Sequence, residues 1–178
     1  MSKLDILLIN PGERGKIYQD LGADLTAIEP PLWCRILGGY VRDRGWSTAI
    51  LDAEAENIDT VALAERSALA EPRLIVLVVY GHQPSASTQR MVGARFAAVA
   101  LKARLPDVPI LIVGGHIAAL PLRTLEDEPV DFACNSEGPV TLHQLMAQIA
   151  SPTPDFAKVE GLVWRNDRGE IVNNPAPA

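Results

Sequence analysis

The sequence predicts an α/β fold: a doubly wound, five-stranded parallel sheet in the order 2-1-3-4-5, with a C-terminal β-hairpin appendage. Three observations predict it. Apolar runs of strand length alternate with stretches of helical spacing through residues 1–150. The run Arg73-Leu-Ile-Val-Leu-Val-Val-Tyr80 is apolar without in-and-out alternation, as in a strand buried on both faces in mid-sheet. After that run the chain turns abruptly to Gly81-His-Gln-Pro-Ser-Ala-Ser87, small and hydrogen-bonding residues of the kind found where strands of an open α/β sheet meet a ligand.

The elements follow in order. Leu4–Ile9 is the first strand, ending at Asn10-Pro11-Gly12, and Glu13–Glu29 is an irregular segment too long for an ordinary strand-to-helix connection. Pro30-Pro31 opens a helix in which Leu32, Ile36, Leu37, Tyr40 and Val41 recur at helical spacing, with Gly45 as the terminating residue. Gly38-Gly39 inside it implies close packing against the backbone. Thr48–Leu51 is a second strand and Asp59–Leu69 a second helix. The buried strand follows, then a long helix from Ser87, with Ser87 or Thr88 as its cap, to Leu105. Ile110–Val113 is the fourth strand, Leu122–Asp127 a short helix, Val130–Cys134 the fifth strand and Val140–Ile149 the fifth helix. This Rossmann-like, flavodoxin-like unit occupies residues 1–150. Residues 151–178 read as a Pro-bearing linker, a hairpin (Gly161–Trp164 and Glu170–Val172) and a loose proline-rich tail. An isolated hairpin is marginal in water, so it packs on this domain or belongs to a junction with more protein; the junction is the expectation.

Composition narrows the function. With 48% hydrophobic and 21% charged residues the chain can bury a core, and a net charge of −6 with pI near 5.0 argues against nucleic acid. No apolar run is long enough to span a membrane and no signal peptide is present, so a cytoplasmic location without a membrane partner is expected. Cys34 and Cys134, a hundred positions apart, offer no disulfide framework and read as reduced, partly buried thiols.

Several nucleotide-binding readings fail. There is no G-x-G-x-x-G after the first strand, no G-x-x-x-x-G-K-[ST], and no G-x-S-x-G. Tyr80 stands where a phospho-receiver needs an aspartate, and Asn10-Pro-Gly-Glu-Arg where a flavodoxin needs a phosphate loop. What remains is a concave edge of small neutral loops, Tyr80–Ser87, Gly114–His116 and Asn135–Gly138, which suits a large, neutral, amide-rich ligand better than a polyphosphate.

Taken in order, Asn10-Pro11, Glu29-Pro-Pro-Leu-Trp33, Gly39-Tyr-Val-Arg-Asp-Arg-Gly45, Tyr80-Gly-His-Gln-Pro-Ser85, Gly114-Gly-His116 with Leu120-Pro-Leu-Arg-Thr-Leu125, and Asn135-Ser-Glu-Gly138 resemble one family. It is the N-terminal cobalamin-binding domain of cobalamin-dependent radical S-adenosylmethionine enzymes, many of them methyltransferases. The resemblance implies a domain that holds cobalamin and presents methylcobalamin to a substrate radical made elsewhere, with no catalytic residue of its own. It implies that Tyr80, Gly81, His82, Gln83, Pro84, Ser85 and Ser87 line the lower corrin face and the nucleotide tail, and that Gly114 and Gly115 let the tail pass beside the backbone. His116 reads as a tail contact or a polar cap. Asn135, Ser136, Glu137 and Gly138 would touch the tail or ring edge, and Asn10, Pro11, Leu32 and Trp33 complete the site. Trp33 reads equally as core, and Glu137 equally as a helix cap. His143 reads as solvated. The acids Asp52, Glu54 and Glu56 read as a solvated face.

Two departures qualify the resemblance. None of His82, His116 and His143 sits in a D-x-H-x-x-G motif, so no cobalt ligand of that kind is expected; His82 could approach the metal or simply bond to backbone. The C-x-x-x-C-x-x-C that holds a [4Fe–4S] cluster is also missing, so S-adenosylmethionine chemistry is expected only in a radical domain of the same parent chain or in a partner subunit. A cofactor-free interaction or regulatory module of the same fold is the alternative, and a flavin-dependent enzyme a third.

Overall fold

A computed structural model describes residues 3–12, 30–81 and 84–178, the side chains of residues 84 and 85 excepted. The irregular segment expected at residues 13–29, and His82 and Gln83, lie outside the described residues. Strands β1 (Ile6–Asn10), β2 (Thr48–Asp52), β3 (Leu74–Val78), β4 (Ile110–Val113), β5 (Phe132–Cys134), β6 (Leu162–Arg165) and β7 (Ile171–Asn173) form one sheet in the order β2-β1-β3-β4-β5-β6-β7. The first five are parallel in the expected order; β6 and β7 are antiparallel. The sheet thus has seven strands rather than five, because the terminal hairpin pairs with β5 and continues it.

Strand periodicity divides the core between the two faces. Leu7, Ile9, Ile75 and Leu77 pack with Leu63 of α2 (Thr60–Leu69) and Ala97 and Leu101 of α3 (Pro84–Arg104). Ile6, Leu8, Leu74 and Val76 pack on the other face with Leu37 and Val41 of α1 (Leu32–Arg42) and, beyond α4 (Gly115–Ala119) and α5 (Pro121–Asp127), with Leu142 and Met146 of α6 (Pro139–Ala150). All five residues of β1 and of β3 are buried, which is why neither alternates in sequence. Each such Leu or Ile contributes about 1.5–3 kcal/mol by leaving water.

The helix ends explain themselves locally. Gly45 takes φ +92° just after α1, and Asp59 caps α2 by accepting the Ala62 N–H at 2.8 Å. Gly38 is where α1 rests on the sheet: a Cβ there would lie 3.1 Å from Leu8 Cδ1. Three expectations are corrected. Helix α3 begins at Pro84, so Ser87 lies within it and does not cap it. Gly115 and His116 form the first turn of α4, a helix ahead of the expected short one. The tail is tied down at Asn174, which is buried and donates through Nδ2 to the carbonyls of Phe156 (2.7 Å) and Val159 (2.8 Å).

Candidate functional site

In a parallel sheet the carboxyl ends of the strands share one rim, and the register aligns them here: Asn10 pairs with Asp52, Ile9 with Leu77, Val78 with Val113. A cavity of about 310 Å³ opens at this rim beside β1 and β3. Asn10, Leu32, Trp33, Tyr80 and Gly81, all singled out from sequence, line it together with Cys34, Glu54 and Arg90.

Its aromatic wall is a stacked pair. The Trp33 and Tyr80 rings lie 4.0 Å apart, inclined by 14°, and the Tyr80 hydroxyl donates to the Glu137 carbonyl at 2.9 Å. The bond reaches from the end of β3 to the loop after β5, across the end of β4. Burial, then the nearby Cys134 and Glu137, push the Tyr80 pKa up, so the phenol stays protonated as that bond requires. The Cys34 thiol is pushed up to about 12, chiefly by burial and then by Asp52, and is no nucleophile at neutral pH.

The opposite wall is polar. Arg90 Nη2 donates to Asn10 Oδ1 (2.7 Å), Glu54 Oε2 (2.5 Å) and the Pro11 carbonyl (3.2 Å), while Asn10 Nδ2 donates to Asp52 Oδ1 (2.8 Å). Asp52 and Glu54 are therefore members of a half-buried network and not a solvated face. The sequence did not single out Arg90. No local signal marks it, because its partners Glu54 and Asn10 lie 36 and 80 positions away.

The remaining expected site residues lie outside this cavity. Ser87 is buried between two strands' loops: its Oγ donates to the Val79 carbonyl (2.5 Å) and accepts the His116 backbone N–H (2.9 Å). The His116 ring Nδ1 lies 3.0 Å from Thr88 Oγ1. Gly81 and Gly114 are filled by the chain itself, since a Cβ would come within 2.4 Å of Ala86 Cβ and 2.2 Å of the Val79 carbonyl oxygen respectively. At Gly115 the nearest atom would be Ser87 Cβ at 3.7 Å, which leaves room.

Asn135, Ser136, Glu137 and Gly138 turn from β5 into α6. Asn135 Nδ2 donates to Asn173 Oδ1 (2.6 Å) and the Asn174 carbonyl (2.8 Å), and Ser136 Oγ lies 3.2 Å from Thr141 Oγ1. Gly138, at φ +105°, is the residue before α6, and no side chain caps that helix, Glu137 included. His143 is not simply solvated: its Nδ1 accepts the Trp46 indole N–H at 3.0 Å. Among the described residues no group of three or more His, Cys, Asp or Glu could hold a metal ion, and no helix is long and apolar enough to cross a membrane. Both cysteines are free and buried.

A parallel doubly wound sheet with a rim cavity of aromatic and amide-bearing residues defines a Rossmann-like ligand-binding domain. The B12 binding domain family model matches residues 18–146, and the chain belongs to that family. Among solved structures, the radical S-adenosylmethionine methyltransferase TsrM from Kitasatospora setae, with cobalamin and a [4Fe–4S] cluster bound, superposes with a TM-score of 0.76 at 21% identity over all of this chain and 30% of its own. The cobalamin-dependent S-adenosylmethionine radical enzyme OxsB, with aqua-cobalamin and S-adenosylmethionine bound, gives 0.69 at 17% identity over 98% of this chain and 22% of its own. The chain thus spans less than a third of the length of these structures, and the likeness at such identity is one of fold. No protein of curated function matches the sequence.

Proposed function

We propose that this chain is a cobalamin-binding module serving a cobalamin-dependent radical S-adenosylmethionine enzyme, a methyltransferase. The observation that carries the proposal is the rim cavity of a B12-binding-family fold, walled on one side by the Trp33–Tyr80 pair and on the other by Asn10, Glu54 and Arg90. The residues fit the group in kind. A cavity of about 310 Å³ cannot enclose a corrin, but it admits one planar or amide-bearing part of a corrinoid whose ring rests on the rim. Trp33, Tyr80, Leu32 and Gly81 supply the apolar contact, and the Asn135–Gly138 turn with His116 the polar margin.

When bound, cobalamin supplies a methyl group carried on cobalt. The chain's own residues bind and orient the corrinoid and exclude water from the covered face. A bound cobalt would find no histidine of the D-x-H-x-x-G kind here, since none of the three histidines sits in that motif. S-adenosylmethionine and the [4Fe–4S] cluster belong to a radical domain of the same parent chain or a partner subunit. Adding hydroxocobalamin tests the proposal. A bound-corrinoid spectrum is expected, and at a hundredfold excess over Kd a gain of about 2.7 kcal/mol raises the melting temperature by roughly 5–10 °C. An unchanged spectrum and melting curve at saturating cobalamin overturns it.

A further inference from the structure

We infer that the open edge of β2, with the groove between it and α1, binds an extended acidic segment of a partner polypeptide as an added strand. The inference does not depend on the corrinoid reading. β2 is the last strand on its side of the sheet. Its pairing with β1 fixes which backbone groups are already engaged. The Ser47 carbonyl accepts the Ile6 N–H and the Ala53 N–H donates to the Asn10 carbonyl, so residues 47, 49, 51 and 53 face β1. The N–H and C=O of Thr48 and Ile50 therefore point outward, with no partner among the described residues. Natural edges are commonly blunted by lysine, proline or a bulge, and Thr48-Ala-Ile-Leu-Asp52 carries none of these.

The groove holds about 590 Å³, and its apolar lining includes Ile36 and Ile50, which are 42% and 41% exposed. Gly39 lines it too, and the chain itself gives this glycine no purpose. Its neighbour Gly38 is accounted for by Leu8, whereas a Cβ at Gly39 would meet nothing within 4 Å. Glycine in a helix interior is unfavourable relative to alanine, and no contact among the described residues explains its use here. The close passage of an incoming backbone does.

Charge decides which segment suits. Arg35 and Arg42 line the groove as exposed cations, and neither has an ion-pair or side-chain hydrogen-bond partner among the described residues. No acid lines the groove, and Asp52 at the strand's end is engaged by Asn10 Nδ2 and the Ala55 N–H. In a chain of net charge −6 this is a local positive surface, which calls for acids beside apolar residues in the partner. Seven helical residues place the two arginines about 10.5 Å apart along α1. Positions four apart on one face of a strand span about 13 Å, so acids at i and i+4 with an apolar residue between them match.

The probe is the capped peptide Val-Thr-Glu-Thr-Val-Thr-Glu, whose odd positions set valine and glutamate alternately on one face. It is titrated into the isotope-labelled chain and followed by amide NMR. Saturable shifts centred on Thr48 and Ile50 are expected, with slowed hydrogen exchange at those two amides. Replacing both glutamates of the peptide by glutamine, or using the chain with Arg35→Gln and Arg42→Gln together, is expected to weaken binding roughly threefold to tenfold at low ionic strength. Both arginines are exposed, and the peptide exchange needs no variant of the chain at all. Shifts that leave the β2 amides unmoved, equal affinity for the glutamine peptide, or no saturation at millimolar peptide overturns the inference. Protection of Thr48 and Ile50 that rises with protein concentration in the absence of peptide also overturns it, assigning the edge to a second copy of this chain.

Discussion

Replacing Gly114 by alanine places a Cβ 2.2 Å from the Val79 carbonyl oxygen and 2.7 Å from its carbonyl carbon, where ordinary contact is about 3.5 Å. Val79 has nowhere to go. Its N–H donates to the Val113 carbonyl at 2.7 Å, and its own carbonyl accepts Ser87 Oγ at 2.5 Å. Relief of the clash therefore breaks one or both bonds, at about 1 kcal/mol each, on top of an overpacking cost of about 1–3 kcal/mol. The expected loss is about 3 kcal/mol, or roughly 6–12 °C in melting temperature for a domain of this size. Gly115→Ala, one residue along, meets only Ser87 Cβ at 3.7 Å and should change stability by no more than about 0.5 kcal/mol. Urea unfolding followed by circular dichroism, without ligand, measures both. If Gly114→Ala unfolds within about 0.5 kcal/mol of the parent, or Gly115→Ala falls as far as Gly114→Ala, the packing account of this rim is wrong.

Two further outcomes follow from the same geometry. Ser87→Ala strands the buried Val79 carbonyl and the His116 N–H together, and should cost about 2–3 kcal/mol in urea unfolding with an unchanged slope. His143 has its pKa lowered by partial burial and then by Arg44, and its Nδ1 must stay unprotonated to accept from Trp46. A lowered pKa means the folded state favours the neutral ring, so this contribution is complete above the unfolded pKa of about 6.5 and is lost as pH falls toward the folded value. Denaturation at several pH values should therefore show a steeper acid-side decline in the parent than in His143→Gln, and parallel profiles would refute the assignment.

How much was legible depended on range. The strand Arg73–Tyr80 could be placed mid-sheet because burial on both faces erases alternation, and β3 is indeed buried at all five positions. Gly45 could be read as helix punctuation because it acts on its nearest turn. Ser87 could not be read correctly. A serine before an apolar helical run looks like a cap, whereas its hydroxyl is used across 29 positions by His116. Gly81 and Gly114 show the same limit of range. A glycine signals close approach without saying to what, and here the approaching groups are Ala86 and Val79. Arg90 went unnoticed, and Glu54 read as part of a solvated face, because they meet Asn10 and each other only when β1, the turn after β2 and α3 are brought together.

The sequence by itself determined the parallel sheet, its strand order and the edge where a ligand would lie, since hydrophobic periodicity and turn chemistry are written into neighbouring residues. Only the tertiary structure decided what occupies that edge. Trp33 meets Tyr80, and Arg90 meets Asn10 80 positions away, because parallel register brings the ends of β1, β2 and β3 level. Side chains at one rim then compete for the same few ångströms, and that competition is settled by distances between loops which no local pattern encodes.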